Sequence, residues 1–191
     1  MIYLDDHIED FDLQQMLAAI SPQRREQALR YRQECDQRLC LAAYRLLQRA
    51  LKQEYGIDEL PKFTYESSGK PLLAGHPDIH FSLSHCRDAV ACALSNSPVG
   101  IDVETFGHYS EDVARHVMND DEMRQILDSP RPDVTFTRLW TMKESFYKLT
   151  GNNASGDIPN MLQPDDQVNF TTFIHPNYLC TCCTLKTKQI D

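Results

Sequence analysis

Val99-Gly100-Ile101-Asp102-Val103-Glu104 alternates apolar and acidic side chains with a period of two. That period predicts a strand with Val99, Ile101 and Val103 turned to a core and Asp102 and Glu104 to the opposite face. The turn signal Ser95-Asn96-Ser97-Pro98 precedes it and marks the most natural boundary in the chain. Two carboxylates one step apart repel unless water screens them or a cation lies between them. A solvated strand edge satisfies the first condition. A Mg²⁺ ion satisfies the second, because it is a hard cation held by one or two carboxylates together with substrate phosphates.

Upstream, residues 79–84 and 89–95 read as a strand pair turning near His85-Cys86-Arg87-Asp88, and Pro61 to Tyr65 reads as a strand before the turn Ser67-Ser68-Gly69-Lys70-Pro71. Residues 2–4 suit a short strand. Ser21-Pro22 opens a helix with a capping hydroxyl and a proline at the first helical position. Ala28, Tyr31, Cys35, Leu39, Ala42, Leu46 and Ala50 continue it as an apolar stripe until Gly56. Downstream, Ser110 caps a helix with Glu111 and Asp112 in its first turn, and Pro130 and Pro132 mark a loop. A helix is predicted from about Phe136 to Leu149, stopped by Gly151, and the last 35 residues alternate weakly as strands. The pattern is α+β, divided near Pro98 into segments 1–98 and 99–191.

On the Phe136–Leu149 helix, Leu139, Met142, Phe146 and Leu149 share one arc, and Trp140, Lys143, Glu144 and Lys148 lie opposite. The charged arc reads either as ordinary helix charge pairing, at about 0.3 kcal/mol per pair, or as a catalytic face with lysines for phosphates and a glutamate as base. Phe81-Ser82-Leu83-Ser84-His85 ends a strand with a hydroxyl and an imidazole. Adjacent strand residues point apart, and no G-x-S-x-G elbow occurs, so these groups suit hydrogen bonding to a ligand better than a nucleophile–base pair. Neither G-x-G-x-x-G nor a P-loop is present.

The 191 residues are 41% hydrophobic and 25% charged, with a net charge of −9 that argues against general nucleic-acid binding. Residues 21–55 nevertheless hold eight Arg and Lys against four acids, leaving −13 on the remainder. That basic segment reads as a solvated helix face or as a site for a small polyanion. Seven cysteines, an odd number, with no secretory signal pattern predict free thiols and a cytoplasmic protein. Cys180-Thr181-Cys182-Cys183 lacks zinc-ligand spacing and reads as buried strand cysteine.

Gly69-Lys70-Pro71, Phe81-Ser82-Leu83-Ser84-His85, Gly100-Ile101-Asp102-Val103-Glu104 and Trp140-Thr141-Met142-Lys143-Glu144-Ser145-Phe146-Tyr147-Lys148, in this order, resemble the 4'-phosphopantetheinyl transferases of the surfactin-synthetase-activating type. Ile20-Ser21-Pro22-Gln23-Arg24-Arg25-Glu26 and Arg38 are similar too, so the resemblance covers roughly residues 20–151.

The resemblance implies two similar α+β halves about a pseudo-two-fold axis, with coenzyme A in the cleft between them. It also implies transfer of the 4'-phosphopantetheine arm from coenzyme A to a serine of an apo acyl or peptidyl carrier protein, by a monomer that needs Mg²⁺. Carried over by position, Asp102, Glu104 and Glu122 would hold the metal, Glu144 would be the general base and Lys148 would hold a bridging phosphate. Trp140 and Lys143 would complete that face. Lys70, Ser84 and His85 would contact the nucleotide and its phosphates, and Arg24 and Arg38 the 3'-phosphate. Gln27 stands where the family commonly carries lysine, and the run 151–156 departs from its short glycine-rich turn. A coenzyme-A-binding module without transfer activity and a Mg²⁺-dependent phosphohydrolase are the competing expectations.

Overall fold

The computed structural model describes residues 1–8, 11–151, 157–163 and 167–186, so the atypical run 152–156 lies outside the described residues. The order is β1 (Ile2–Asp5), α1 (Leu13–Ala19), α2 (Pro22–Leu29), α3 (Glu34–Tyr55), β2 (Phe63–Tyr65), β3 (Pro71–Leu73), β4 (His80–His85), β5 (Val90–Ser95), β6 (Val99–Thr105), α4 (Glu111–Val117), α5 (Asp120–Leu127), α6 (Pro132–Thr150), β7 (Val168–Ile174) and β8 (Tyr178–Leu185). This is an α+β fold, as the sequence predicts.

Two three-stranded antiparallel sheets organise it, β1-β5-β4 and β6-β8-β7, and β2-β3 form a separate hairpin. Strand periodicity assigns their faces. On β5, Val90, Cys92 and Leu94 join the core under α3, while Ala89, which precedes the strand, and Ala91 and Ala93 turn the other way. These alanines meet Val99, Ile101 and Val103 of β6 and Cys180 and Cys182 of β8. The two sheets therefore pack on each other through small side chains, which lets them approach closely. The strand cysteines are buried and free. The opposite face of β6, with Gly100, Asp102 and Glu104, is covered by α6.

Helix α6 sits very close to β6. A Cβ built on Gly100 would lie 1.9 Å from the Ser145 carbonyl oxygen. The side chains of α6 buried at one-turn intervals are Thr137, Thr141, Ser145 and Leu149. Thr141 Oγ1 lies 2.8 Å from Thr181 Oγ1 of β8, tying the helix to the sheet. A second side of α6 packs Phe136 and Leu139 on Met123 and Ile126 of α5.

Several local expectations need correction. The stripe from Ala28 to Ala50 is broken: α2 ends at Leu29, and Gln33 adopts an extended conformation (φ −88°, ψ 135°) before α3 begins. Tyr31 and Cys35 are exposed rather than part of that stripe. Pro132 is not a loop marker but the first residue of α6. Helix α5 is announced by Asn119 and Glu122, whose side chains each accept the other's backbone N–H at 2.9 Å, a reciprocal capping box that sequence reading passed over.

Candidate active site

Asp102 lies on β6 and is 3% exposed. Its Oδ1 accepts from Lys148 Nζ at 2.7 Å and from Ser84 Oγ at 2.8 Å, and Lys148 Nζ also donates to Ser84 Oγ at 2.9 Å. Three segments distant in sequence thus converge: the end of β4, the middle of β6 and the last turn of α6. Asp102 Oδ2 is buried without a hydrogen-bond partner. A buried carboxylate oxygen left bare carries a real desolvation cost, which a water, a ligand or a cation would relieve.

Glu104 points the same way two residues on. Burial, and then the Asp102 charge, push its carboxyl up to about 7, against the Lys148 charge and a hydrogen bond from Trp140. Glu144 on α6 is raised by burial and by Asp102, with Lys148 opposing. Asp102, Glu104 and Glu144 thus lie within electrostatic reach of one another, one with a bare buried oxygen, and carboxylate oxygens are the donor type that a hard cation such as Mg²⁺ takes.

Glu122 and Lys143, expected at the metal and at a phosphate, are instead committed to each other. Glu122 Oε2 and Lys143 Nζ form an ion pair at 2.9 Å, with side chains 9% and 1% exposed. Lys143 Nζ also donates to the carbonyls of Ile158 and Pro159 at 3.0 and 2.8 Å, and Glu122 Oε2 takes the Asn119 N–H. The helical wheel set Lys143 on a polar face, but α6 is covered on more than one side, so its ammonium is saturated inside the protein. Among the described residues, the one His/Cys/Asp/Glu trio whose ligand atoms converge closely is the surface group Asp5, Asp6 and His7, so Asp102 and Glu104 close no ready-made cage with either Glu122 or Glu144.

The remaining expected residues line the approaches. Lys70 Nζ donates to Leu149 O at 3.0 Å, joining the Gly69-Lys70-Pro71 turn to the end of α6, and burial lowers its pKa. A cleft of about 270 Å³ opens beside it, bordered by Gly69, Lys70, Phe81 and Lys148. His85 borders a larger cleft of about 800 Å³ shared with Arg38. Burial, then the Lys148 and Arg24 charges, lower the His85 pKa, so the imidazole is neutral at pH 7. Arg38 is held by Glu34 and by the Phe11 carbonyl at 2.9 Å. Arg24 is 7% exposed, donates to Cys40 O and Gln27 Oε1, lies over the Tyr44 ring, and has no partner at Nε. Trp140 borders an apolar cleft of about 290 Å³ with Glu104, Val113, Val117 and Phe136.

An α+β protein with a buried aspartate and two half-buried glutamates around a lysine, between a histidine-bearing strand and a helix, is thus defined by its own geometry. Residues 98–188 match the model of the 4'-phosphopantetheinyl transferase superfamily. The chain is 29% identical to the 4'-phosphopantetheinyl transferase Sfp of Bacillus subtilis (strain 168), covering 100% of this chain and 86% of that protein. It is 32% identical to another B. subtilis 4'-phosphopantetheinyl transferase over 81% of this chain and 70% of the relative. It is 30% identical to psf-1 of Bacillus pumilus over 98% and 82%. The chain belongs to the 4'-phosphopantetheinyl transferase superfamily and is an enzyme of that class. Among the described residues, no helix is long and apolar enough to cross a membrane.

Proposed function

We propose that the chain transfers the 4'-phosphopantetheine arm of coenzyme A to a serine hydroxyl of an apo acyl or peptidyl carrier protein, releasing 3',5'-ADP, as a cytoplasmic monomer. The observation that carries the reading is the bare, buried Oδ2 of Asp102 beside Glu104, Glu144 and Lys148. Asp102 and Glu104 would hold Mg²⁺, with Glu144 facing them. When bound, the ion neutralises phosphate charge as it builds on the leaving group.

In the reaction the carrier serine Oγ bonds to the β-phosphorus, and the bond from that phosphorus to the oxygen of 3',5'-ADP breaks. Glu144 takes the serine proton; burial raises its basicity toward the useful range. Lys148, already facing the acids, turns its ammonium toward a bridging phosphate. Lys70 and His85 border the approaches for the nucleotide and its phosphates. Arg24 and Arg38 bring the positive charge suited to the 3'-phosphate. We read segments 1–98 and 99–191, each with a three-stranded sheet under a long helix, as two halves related by a pseudo-two-fold axis.

The test is mass spectrometry of several apo carrier proteins after incubation with coenzyme A, Mg²⁺ and the enzyme. A mass gain of one phosphopantetheine on the carrier, abolished in Asp102→Ala, is the expected result. Release of 3',5'-ADP without a carrier would make the protein a phosphohydrolase, and binding of coenzyme A without release would make it a binding module.

A further inference from the structure

Strands β4 and β6 lie side by side but belong to separate sheets, so no backbone ladder joins them. Two serines on one face of β4 bridge the gap instead. Ser82 Oγ accepts the Ile101 N–H at 3.0 Å, and Ser84 Oγ donates to Asp102 Oδ1 at 2.8 Å. Both are 7% exposed. The period of two in Phe81-Ser82-Leu83-Ser84-His85 places both hydroxyls on that seam.

The single hydroxyl proton of Ser84 goes to Asp102, so its oxygen is left to accept from Lys148 Nζ at 2.9 Å. Lys148 also bonds Oδ1 directly. Both donors therefore sit on one carboxylate oxygen, and the other, Oδ2, stays bare. Without the serine, the carboxylate is free to rotate, and the lysine ammonium can pair with either oxygen in competition with a cation.

We propose that Ser84 is a positioning residue that presents Asp102 Oδ2 to the divalent cation and restrains Lys148 from competing for it. This rests on the Mg²⁺ site proposed above. It assigns Ser84 a role through Asp102 rather than through the nucleotide. Groups that orient a metal ligand in this way commonly account for about tenfold or more in metal affinity.

The experiment titrates Mg²⁺ into the substrate-free protein and follows the rise in melting temperature, with Mn²⁺ binding read in parallel from loss of its free-ion EPR signal. Ser84→Ala is expected to weaken both affinities about tenfold or more. Ser84→Thr, which keeps the hydroxyl, is expected to restore them. Ser82→Ala removes a comparable bond across the same seam and is expected to lose stability with metal affinity unchanged. Wild-type metal affinity in Ser84→Ala overturns the proposal, whatever happens to coenzyme A binding. If Ser84→Ala does not fold, Ser84→Cys decides, because a thiol is a weaker donor: wild-type affinity there overturns it equally. Asp102→Asn separates the two levels. Metal binding untouched in Asp102→Asn removes the metal site itself; metal binding lost in Asp102→Asn but retained in Ser84→Ala removes only the role of the serine.

Discussion

The Ser145 carbonyl of α6 faces Gly100 of β6 so closely that a Cβ there would stand 1.9 Å from the oxygen and 2.6 Å from the Leu149 nitrogen. Both obstacles are helix backbone, which cannot rotate aside as a flexible side chain does. Glycine is required at this position for space, not for its dihedral freedom. Gly100→Ala must push α6 off the sheet and carry Glu144 and Lys148 away from Asp102. We expect a loss of about 3 kcal/mol or more in urea denaturation, at the upper end for overpacking, together with loss of transfer. A melting temperature equal to wild type would show that the helix yields without cost.

The Glu122–Lys143 pair is sealed from water, so removing one member leaves a buried charge without its partner. Lys143→Met is expected to cost about 3–5 kcal/mol, and adding Glu122→Leu should recover much of it. A double-mutant cycle by denaturant unfolding reads both quantities. Glu122→Gln should leave the Mg²⁺ dependence of transfer unchanged. A shifted Mg²⁺ requirement would return Glu122 to the metal.

Sequence periodicity located the site strand correctly: apolar Val99, Ile101 and Val103 do face one core, and Asp102 and Glu104 the other side. The hairpin of β4 and β5, the Ser21 and Ser110 caps and the Gly151 stop were equally legible, because each depends on local chemistry. The helical wheel failed at Lys143 because it assumes one buried face, and α6 has two. The Gly100–Ser145 approach and the Ser84–Asp102 bond were not legible, since they join segments 45 and 18 residues apart. Helix α5 could have been found from Asn119-Asp120-Asp121-Glu122, a capping-box spacing followed by the apolar Met123 and Ile126.

Glu104 gives the free protein a pH dependence of definite sign. Its carboxyl is raised from an ordinary 4.5 to about 7 in the folded state, so folding favours its protonated form. That contribution is complete below about pH 4.5 and is lost as pH rises through 7. Glu144 is shifted in the same direction. The metal-free protein should therefore melt lower at about pH 8 than at about pH 6, and Mg²⁺ should narrow the gap by binding the ionised acids. Other groups also titrate, so the informative quantity is the difference from Glu104→Gln, whose melting temperature should change less over this range. An identical slope in the two proteins would show that Glu104 ionises without hindrance.

Glu144→Gln tests the chemistry most directly. Glutamine keeps the size and much of the hydrogen bonding of glutamate but cannot accept a proton at neutral pH. A base acts mainly in the transition state, so kcat should fall while KM for coenzyme A barely moves. A loss of about 10²-fold or more is expected, equivalent to roughly 2.7 kcal/mol of barrier. Because Glu144 also lies within electrostatic reach of Asp102, the same change can act through the metal instead. Single-turnover transfer to an apo carrier at low and high Mg²⁺ separates the two. A slow rate at both concentrations identifies the base. A slow rate at low Mg²⁺ that recovers at high Mg²⁺ identifies a metal ligand. A near-wild-type rate at low Mg²⁺ would remove Glu144 from the mechanism, and the proton would then have to leave the serine by way of water or another of the acids around Asp102.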